Sequence, residues 1–69
     1  MDAVEKDLNR RKGEIFKEIE LIFKANMKFT DWNVPEADDR KAGEIIISIM
    51  REAIDKLEKD LKEGKYDNY

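Results

Sequence analysis

Apolar residues recur three or four positions apart along almost the whole chain, and this spacing limits the possible folds more than any other feature. The series in the first half includes Val4, Leu8, Ile15, Ile19 and Ile22. Residues at such spacings share one face of an α-helix, whereas a half-buried strand would alternate apolar and polar residues. The pattern therefore predicts an all-α protein.

Two helices are predicted, separated by one break. The first extends from about residue 2 to 28, with Asp2 as its N-cap, and is weakest at about residues 9–13, where Gly13 follows a polar run. The break covers about residues 29–35, since Pro35 disfavours a helical conformation at the residue before it. The second helix covers about 36–63, with Pro35 able to open it. Residues 64–69 form a polar tail, in which Gly64 is predicted to stop the helix and residues 66–69 are expected to fray.

A short connection between two helices makes them antiparallel neighbours. We therefore expect residues 1–69 to form a single domain, an antiparallel two-helix hairpin. A short third helix over residues 29–34 is the alternative that the sequence leaves open.

A lone hairpin would leave many apolar side chains in water, because the apolar face next to the turn is wider than one partner helix can cover. The chain has 69 residues with no Cys and no His, so neither disulfides nor imidazole or thiolate metal sites can stabilise it. Well-packed helices and self-association remain, and we expect a homodimer that forms a four-helix bundle. A partner of a different sequence is the alternative that would cover the same apolar face. The residues expected at the contact of the homodimer are Ile15, Phe16, Ile19, Ile22, Phe23, Ile46, Ile47, Met50, Ile54 and Leu57.

The charges nearly balance, with 14 basic and 17 acidic residues and a net charge of −3. Nucleic-acid and anionic-membrane binders usually carry a basic excess, so the balance argues against both classes. The beginning of the sequence is charged and shows no apolar leader, and the longest apolar run, Ile45–Ile47, is too short to cross a bilayer. We therefore expect a cytoplasmic protein.

Acidic residues spaced along the helices raise the possibility of enzymatic chemistry. Glu14 and Glu18 are one helical turn apart, and Glu44 precedes the isoleucine run of the second helix. Carboxylates that converge in a helical bundle can hold Mg²⁺ for nucleotide hydrolysis. No complete metal-ligand motif is present, however, and a chain with 45% charged residues produces such spacings by chance. No metal, cofactor or catalytic residue is therefore assigned, and a Mg²⁺-dependent nucleotide hydrolase stays an alternative.

The run Arg10-Arg11-Lys12 is the one cluster of positive charge, and it could contact a phosphate backbone. The run is short, and no aromatic residues interleave with it to stack on bases. A nucleic-acid-binding regulator is therefore a second alternative. We also expect this stretch to approach the acidic residues 31–39 of another copy in a dimer.

The turn carries the only tryptophan, Trp32, among acidic residues. Trp32 could cover the open end of the bundle by packing on Phe29 and Val34, or it could anchor a partner, since Trp is common at interface hot spots. The leading hypothesis is a small non-enzymatic regulatory protein that self-associates and binds another protein. The residues proposed for partner binding are Phe29, Asp31, Trp32, Val34, Asp38 and Asp39.

Overall fold

Three α-helices form the chain in a computed structural model, which describes residues 2–69. Helix α1 covers Ala3–Arg10, α2 covers Lys12–Asn33 and α3 covers Asp39–Lys62. No strand occurs within the described residues, so the all-α prediction is confirmed. The sequence predicted two helices, and the structure divides the first of them into α1 and α2.

The division between α1 and α2 falls at Arg11, inside the segment predicted to be weakest. Asp2 caps α1, since its carboxylate accepts a hydrogen bond of 2.8 Å from the Glu5 N–H. At Arg11 the backbone leaves helical geometry (φ −94°, ψ 6°), and its N–H is shared between the carbonyls of Asp7 and Leu8. The polar run before Gly13 therefore interrupts the helix rather than only weakening it.

Helix α2 continues to Asn33, five residues beyond its predicted end. The Thr30 hydroxyl donates to the Asn26 carbonyl (2.9 Å), and the Val34 N–H donates to the Thr30 carbonyl (2.8 Å). These bonds make residues 29–33 the last turn of α2, in place of a turn or a separate third helix. Turn-forming side chains such as that of Thr30 are tolerated here because they bond back to their own helix.

Helix α3 begins at Asp39, later than the predicted start near residue 36. The Asp38 carboxylate accepts from the N–H groups of Arg40 (3.0 Å) and Lys41 (3.4 Å), and so occupies the N-cap position. Pro35 instead takes the second place of a four-residue turn, closed by the Ala37 N–H on the Val34 carbonyl (2.9 Å). A side-chain cap at Asp38 therefore sets the start of α3, and Pro35 does not.

The end of α3 is held by a Schellman motif at Gly64, which has a positive φ of 84°. The Lys65 N–H donates to the Asp60 carbonyl (3.0 Å), and the Gly64 N–H donates to the Leu61 carbonyl (3.1 Å). The Asp60 carboxylate also lies 3.1 Å from Lys56 Nζ and 3.6 Å from Lys65 Nζ. Gly64 therefore ends the helix as predicted. The residues expected to fray, 66–69, instead continue as hydrogen-bonded turns, in which the Asp67 N–H donates to the Gly64 carbonyl and the Tyr69 N–H donates to the Tyr66 carbonyl (both 3.2 Å).

Helices α2 and α3 lie side by side and run in opposite directions. Asp31 lies beside Asp39 next to the turn, and farther away Gly43 faces Phe23 and Met27. A Cβ atom on Gly43 would be 3.4 Å from Phe23 Cζ, so the missing side chain allows the two helices to approach closely. Gly43 is the one residue in the described range that is fully buried.

The molecule is long and thin, with principal extents of 49 × 27 × 17 Å. Its radius of gyration is 15.9 Å, whereas a compact chain of this length would have about 11 Å. Among residues 2–69 no apolar side chain is fully buried. A thickness of 17 Å corresponds to a single layer of helices, which leaves nowhere for a core to form. Within that range, no helix combines the length and the apolar character needed to cross a bilayer.

Candidate interaction surfaces

Many large apolar side chains of α2 and α3 are exposed. Seventeen large hydrophobic residues are exposed in the described chain, and Trp32 is the most exposed of those in the helices, at 83%. Scattered exposed hydrophobic residues are normal, but a chain that exposes them in rows marks an interaction surface. Seven of the seventeen lie on two surfaces, one between α2 and α3 and one on the outer side of α2.

The first surface, called here the α2–α3 groove, lies between the second half of α2 and the first half of α3. Its volume at the turn end is about 440 Å³. A second hollow continues it away from the turn and shares Asn26, Ile46 and Ile49 with it. The apolar lining includes Val34, Ala42, Ile45, Ile46, Ile49 and Ala53. The groove is therefore a continuous, mainly apolar channel.

The second surface, called here the outer patch, consists of Leu21, Ala25, Phe29 and Trp32. These residues lie three or four positions apart on α2, and so they share one side of the helix. Phe29 and Trp32 form a shallow hollow with Ala25 and Lys28. Leu21 lies on the adjoining hollow with Ala25 and Lys28. A partner side chain could therefore insert beside an exposed aromatic pair.

The residues predicted to bind a partner divide between these two surfaces. Phe29 and Trp32 belong to the outer patch, whereas Val34 and Asp38 line the end of the α2–α3 groove nearest the turn. All six predicted residues are exposed. Trp32 shares its hollow with Phe29 and not with Val34, so it does not cover the end of the bundle.

The two remaining predicted residues, Asp31 and Asp39, form a carboxyl pair next to the turn. A side-chain hydrogen bond with Asp39 raises the pKa of Asp31 above its ordinary value of 3.8, with smaller contributions from desolvation and from the negative charge of Asp39. The pair concentrates negative charge beside the outer patch and the groove. A cationic side chain from a partner would relieve this repulsion.

The residues predicted for self-association are only partly covered within one chain. Phe23, Ile46 and Met50 are half-buried between α2 and α3. The others are exposed, namely Ile15, Phe16, Ile19, Ile22, Ile47, Ile54 and Leu57. The contact between α2 and α3 therefore covers only three of the ten residues predicted for self-association, and covers them in part.

The candidate chemical residues do not gather into a site. No group of three or more carboxylates in residues 2–69 is arranged to hold a metal ion, so Glu14, Glu18 and Glu44 do not converge. In the basic stretch, Arg10 lies 2.6 Å and Arg11 lies 3.7 Å from the Asp7 carboxylate. Asp7 thus partly neutralises the positive charge of that stretch.

Sequence reasoning missed the polar residues that α2 contributes to the groove and the extent of the outer patch. Asn26 and Thr30 line the groove, and Ala25 links Leu21 to Phe29. The signal for Asn26 was present, since it is a polar residue within an otherwise apolar row on α2. Thr30 could not be identified, because it was assigned to the turn and not to the helix.

Comparison with known proteins adds no family to this description. The chain matches no protein-family model, and comparison with curated proteins and with solved structures finds no significant similarity.

Proposed function

We propose that this chain is a non-enzymatic interaction protein that self-associates through α2 and α3 and binds another protein through the surface around Trp32. The observation that supports this proposal is the absence of any fully buried apolar side chain among the described residues. Burying a large apolar side chain contributes about 1.5–3 kcal/mol. A chain that fully buries none of them alone gains the rest of that stabilisation only by contact with a partner.

Self-association has a direct test in sedimentation equilibrium. The expected result is a species of twice the chain mass of 8.2 kDa, dissociating on dilution. A mass of one chain over the whole concentration range would overturn this half of the proposal.

Partner binding is assigned to the outer patch and its acidic flank. Trp32 and Phe29 offer two large aromatic rings, and aromatic residues dominate the binding energy of protein interfaces. The carboxyl pair Asp31–Asp39 lies next to them. The expected partner therefore presents an apolar pocket for Trp32 with a basic side chain beside it.

The test compares Trp32→Ser with Tyr69→Ser, which removes another highly exposed aromatic ring at the other end of the molecule. Both immobilised variants and the native chain are exposed to a lysate of the source organism. We expect proteins retained by the native chain to remain with Tyr69→Ser and to be lost with Trp32→Ser. Retention of the same proteins by all three chains would contradict the assignment.

A further inference from the structure

Four polar residues line the α2–α3 groove, and the two that belong to α2, Asn26 and Thr30, make side-chain hydrogen bonds to their own helix. The Thr30 hydroxyl donates to the Asn26 carbonyl (2.9 Å), and the Asn26 amide Nδ2 donates to the Ile22 carbonyl (2.9 Å). Covering a polar group costs free energy unless it is hydrogen-bonded. An apolar helix can therefore cover this groove without leaving Thr30 unpaired. The second N–H and the Oδ1 of the Asn26 amide remain able to bind across a contact.

The exposed area of the chain matches what a dimer would cover. The chain exposes 6564 Å², about 2,000 Å² more than a compact monomer of its mass. If each of two copies covered half of that excess, the contact would bury about 2,000 Å² in total, which is enough for a stable specific interface. The groove is a mainly apolar surface to which both α2 and α3 contribute.

We propose that the α2–α3 groove binds α2 of a second copy, antiparallel to the first, with Asn26 of each copy opposite Asn26 of the other. This inference rests on the self-association proposed above and specifies its geometry. A residue on a twofold axis meets itself, and an amide suits that position because it carries both a donor and an acceptor. A buried Asn pair would also fix the register of the two helices, as it does in coiled coils.

The charge distribution favours the antiparallel orientation. The acidic residues next to the turn, including Asp31 and Asp39, lie at one end of the molecule, and Arg10–Lys12 lie at the other end of α2. A parallel dimer would bring the two acidic ends together, and like charges at close range repel. In an antiparallel dimer each acidic end lies on the same side of the axis as the basic stretch of the other copy.

The first experiment uses single cysteines, since the native chain contains none. Asn26→Cys places a thiol on the proposed axis, and Lys24→Cys places one on the solvent side of α2, where Lys24 pairs with Glu20 (2.7 Å). A disulfide requires Cα atoms about 4.4–6.8 Å apart. With diamide as the oxidant, we expect Asn26→Cys to form a covalent dimer and Lys24→Cys to remain monomeric on a denaturing gel. Equal cross-linking of both variants, or none of either, would overturn the proposed axis.

The second experiment tests the groove by sedimentation. Ile49 lines the groove, whereas Leu61 lies on the same helix well beyond it, and the two side chains are similarly exposed (57% and 59%). Ile49→Glu should shift the equilibrium to monomer, while Leu61→Glu should leave the dimer unchanged, with helicity by circular dichroism as the folding control. A dimer that resists Ile49→Glu would overturn the groove assignment but leave the self-association intact. A monomeric native chain would instead show that the proposed function has failed.

The third experiment tests orientation with spin labels on Lys12→Cys. Lys12 lies fourteen residues from Asn26, so the antiparallel dimer separates the two labels by about 40 Å along the helices. A parallel dimer would hold them within about 20 Å, since packed helix axes are ~8–10 Å apart. Measurement of the short distance by electron paramagnetic resonance would overturn the antiparallel arrangement.

Discussion

Asp38 determines where α3 begins, because its carboxylate accepts from two N–H groups that the helix itself cannot satisfy. Asp38→Ala removes both bonds, and we expect it to lower the free energy of unfolding by about 1 kcal/mol. Urea denaturation followed by circular dichroism measures this loss. Glu36→Ala is the matched control, because it removes a negative charge from the same connection and retains both capping bonds. An equal loss in both variants would contradict the capping role.

The carboxyl pair Asp31–Asp39 makes stability depend on pH. The hydrogen bond with Asp39 raises the pKa of Asp31, so the folded chain holds this proton more tightly than the unfolded chain does. Stability must then fall as pH rises from the ordinary pKa of 3.8 through the raised pKa. We expect Asp31→Asn to melt at a higher temperature than the native chain at pH 7, with the difference disappearing below pH 3.8. A difference that is independent of pH would contradict this explanation.

Gly13 in α2 and Gly64 after the end of α3 have opposite expected responses to alanine, because their surroundings differ. Gly13 has no atom within 4 Å of the position that a Cβ would take, so Gly13→Ala should raise the free energy of unfolding by about 0.5–1 kcal/mol and strengthen the start of α2. Gly64 has a φ of 84° and closes the Schellman motif, so Gly64→Ala should destabilise the chain by about 1 kcal/mol. Thermal unfolding of the two variants shows whether each substitution stabilises or destabilises the chain. Stabilisation by both would show that the left-handed turn at Gly64 does not limit the fold.

At the scale of helices, the apolar spacing predicted their existence and type but not their ends. The break at Arg11 lies in the segment predicted to be weak. Composition could not show whether such a segment stays helical or divides the helix in two. The end of α2 and the start of α3 depend on hydrogen bonds made by Thr30 and Asp38. The bonds of Asp38 compete with the preference of Pro35 for the first position of a helix. The sequence alone does not give the free energies that would decide which of the two sets the helix start.

For the whole molecule, the proposed self-association predicts that stability depends on concentration. A dimer is favoured by mass action, and each tenfold change in concentration corresponds to about 1.4 kcal/mol. The melting temperature should therefore rise with total protein concentration in calorimetry, and Ile49→Glu should abolish the dependence. A melting temperature that stays constant over a hundredfold or greater range of protein concentration would contradict a dimer that dissociates as it unfolds.

The location of the interaction surfaces was predictable only in outline. The excess of apolar residues near the turn indicated which half of the molecule would carry them. The separation into a groove and an outer patch was not predictable, because it depends on the direction in which α2 faces α3. Trp32 is an example, because its position in the sequence was compatible both with packing over the end of the bundle and with an exposed side chain that anchors a partner.

The 17 Å thickness of the molecule also determines how its sequence can vary. In a thicker protein, substitutions in the interior change stability and substitutions outside change binding, so the two properties can drift separately. Here each apolar position on α2 and α3 lies in the same single layer, at once part of the packing and part of the surface. Selection for folding and selection for recognition therefore act on the same residues. A substitution that improves folding is kept only if it does not impair recognition, and the reverse also holds.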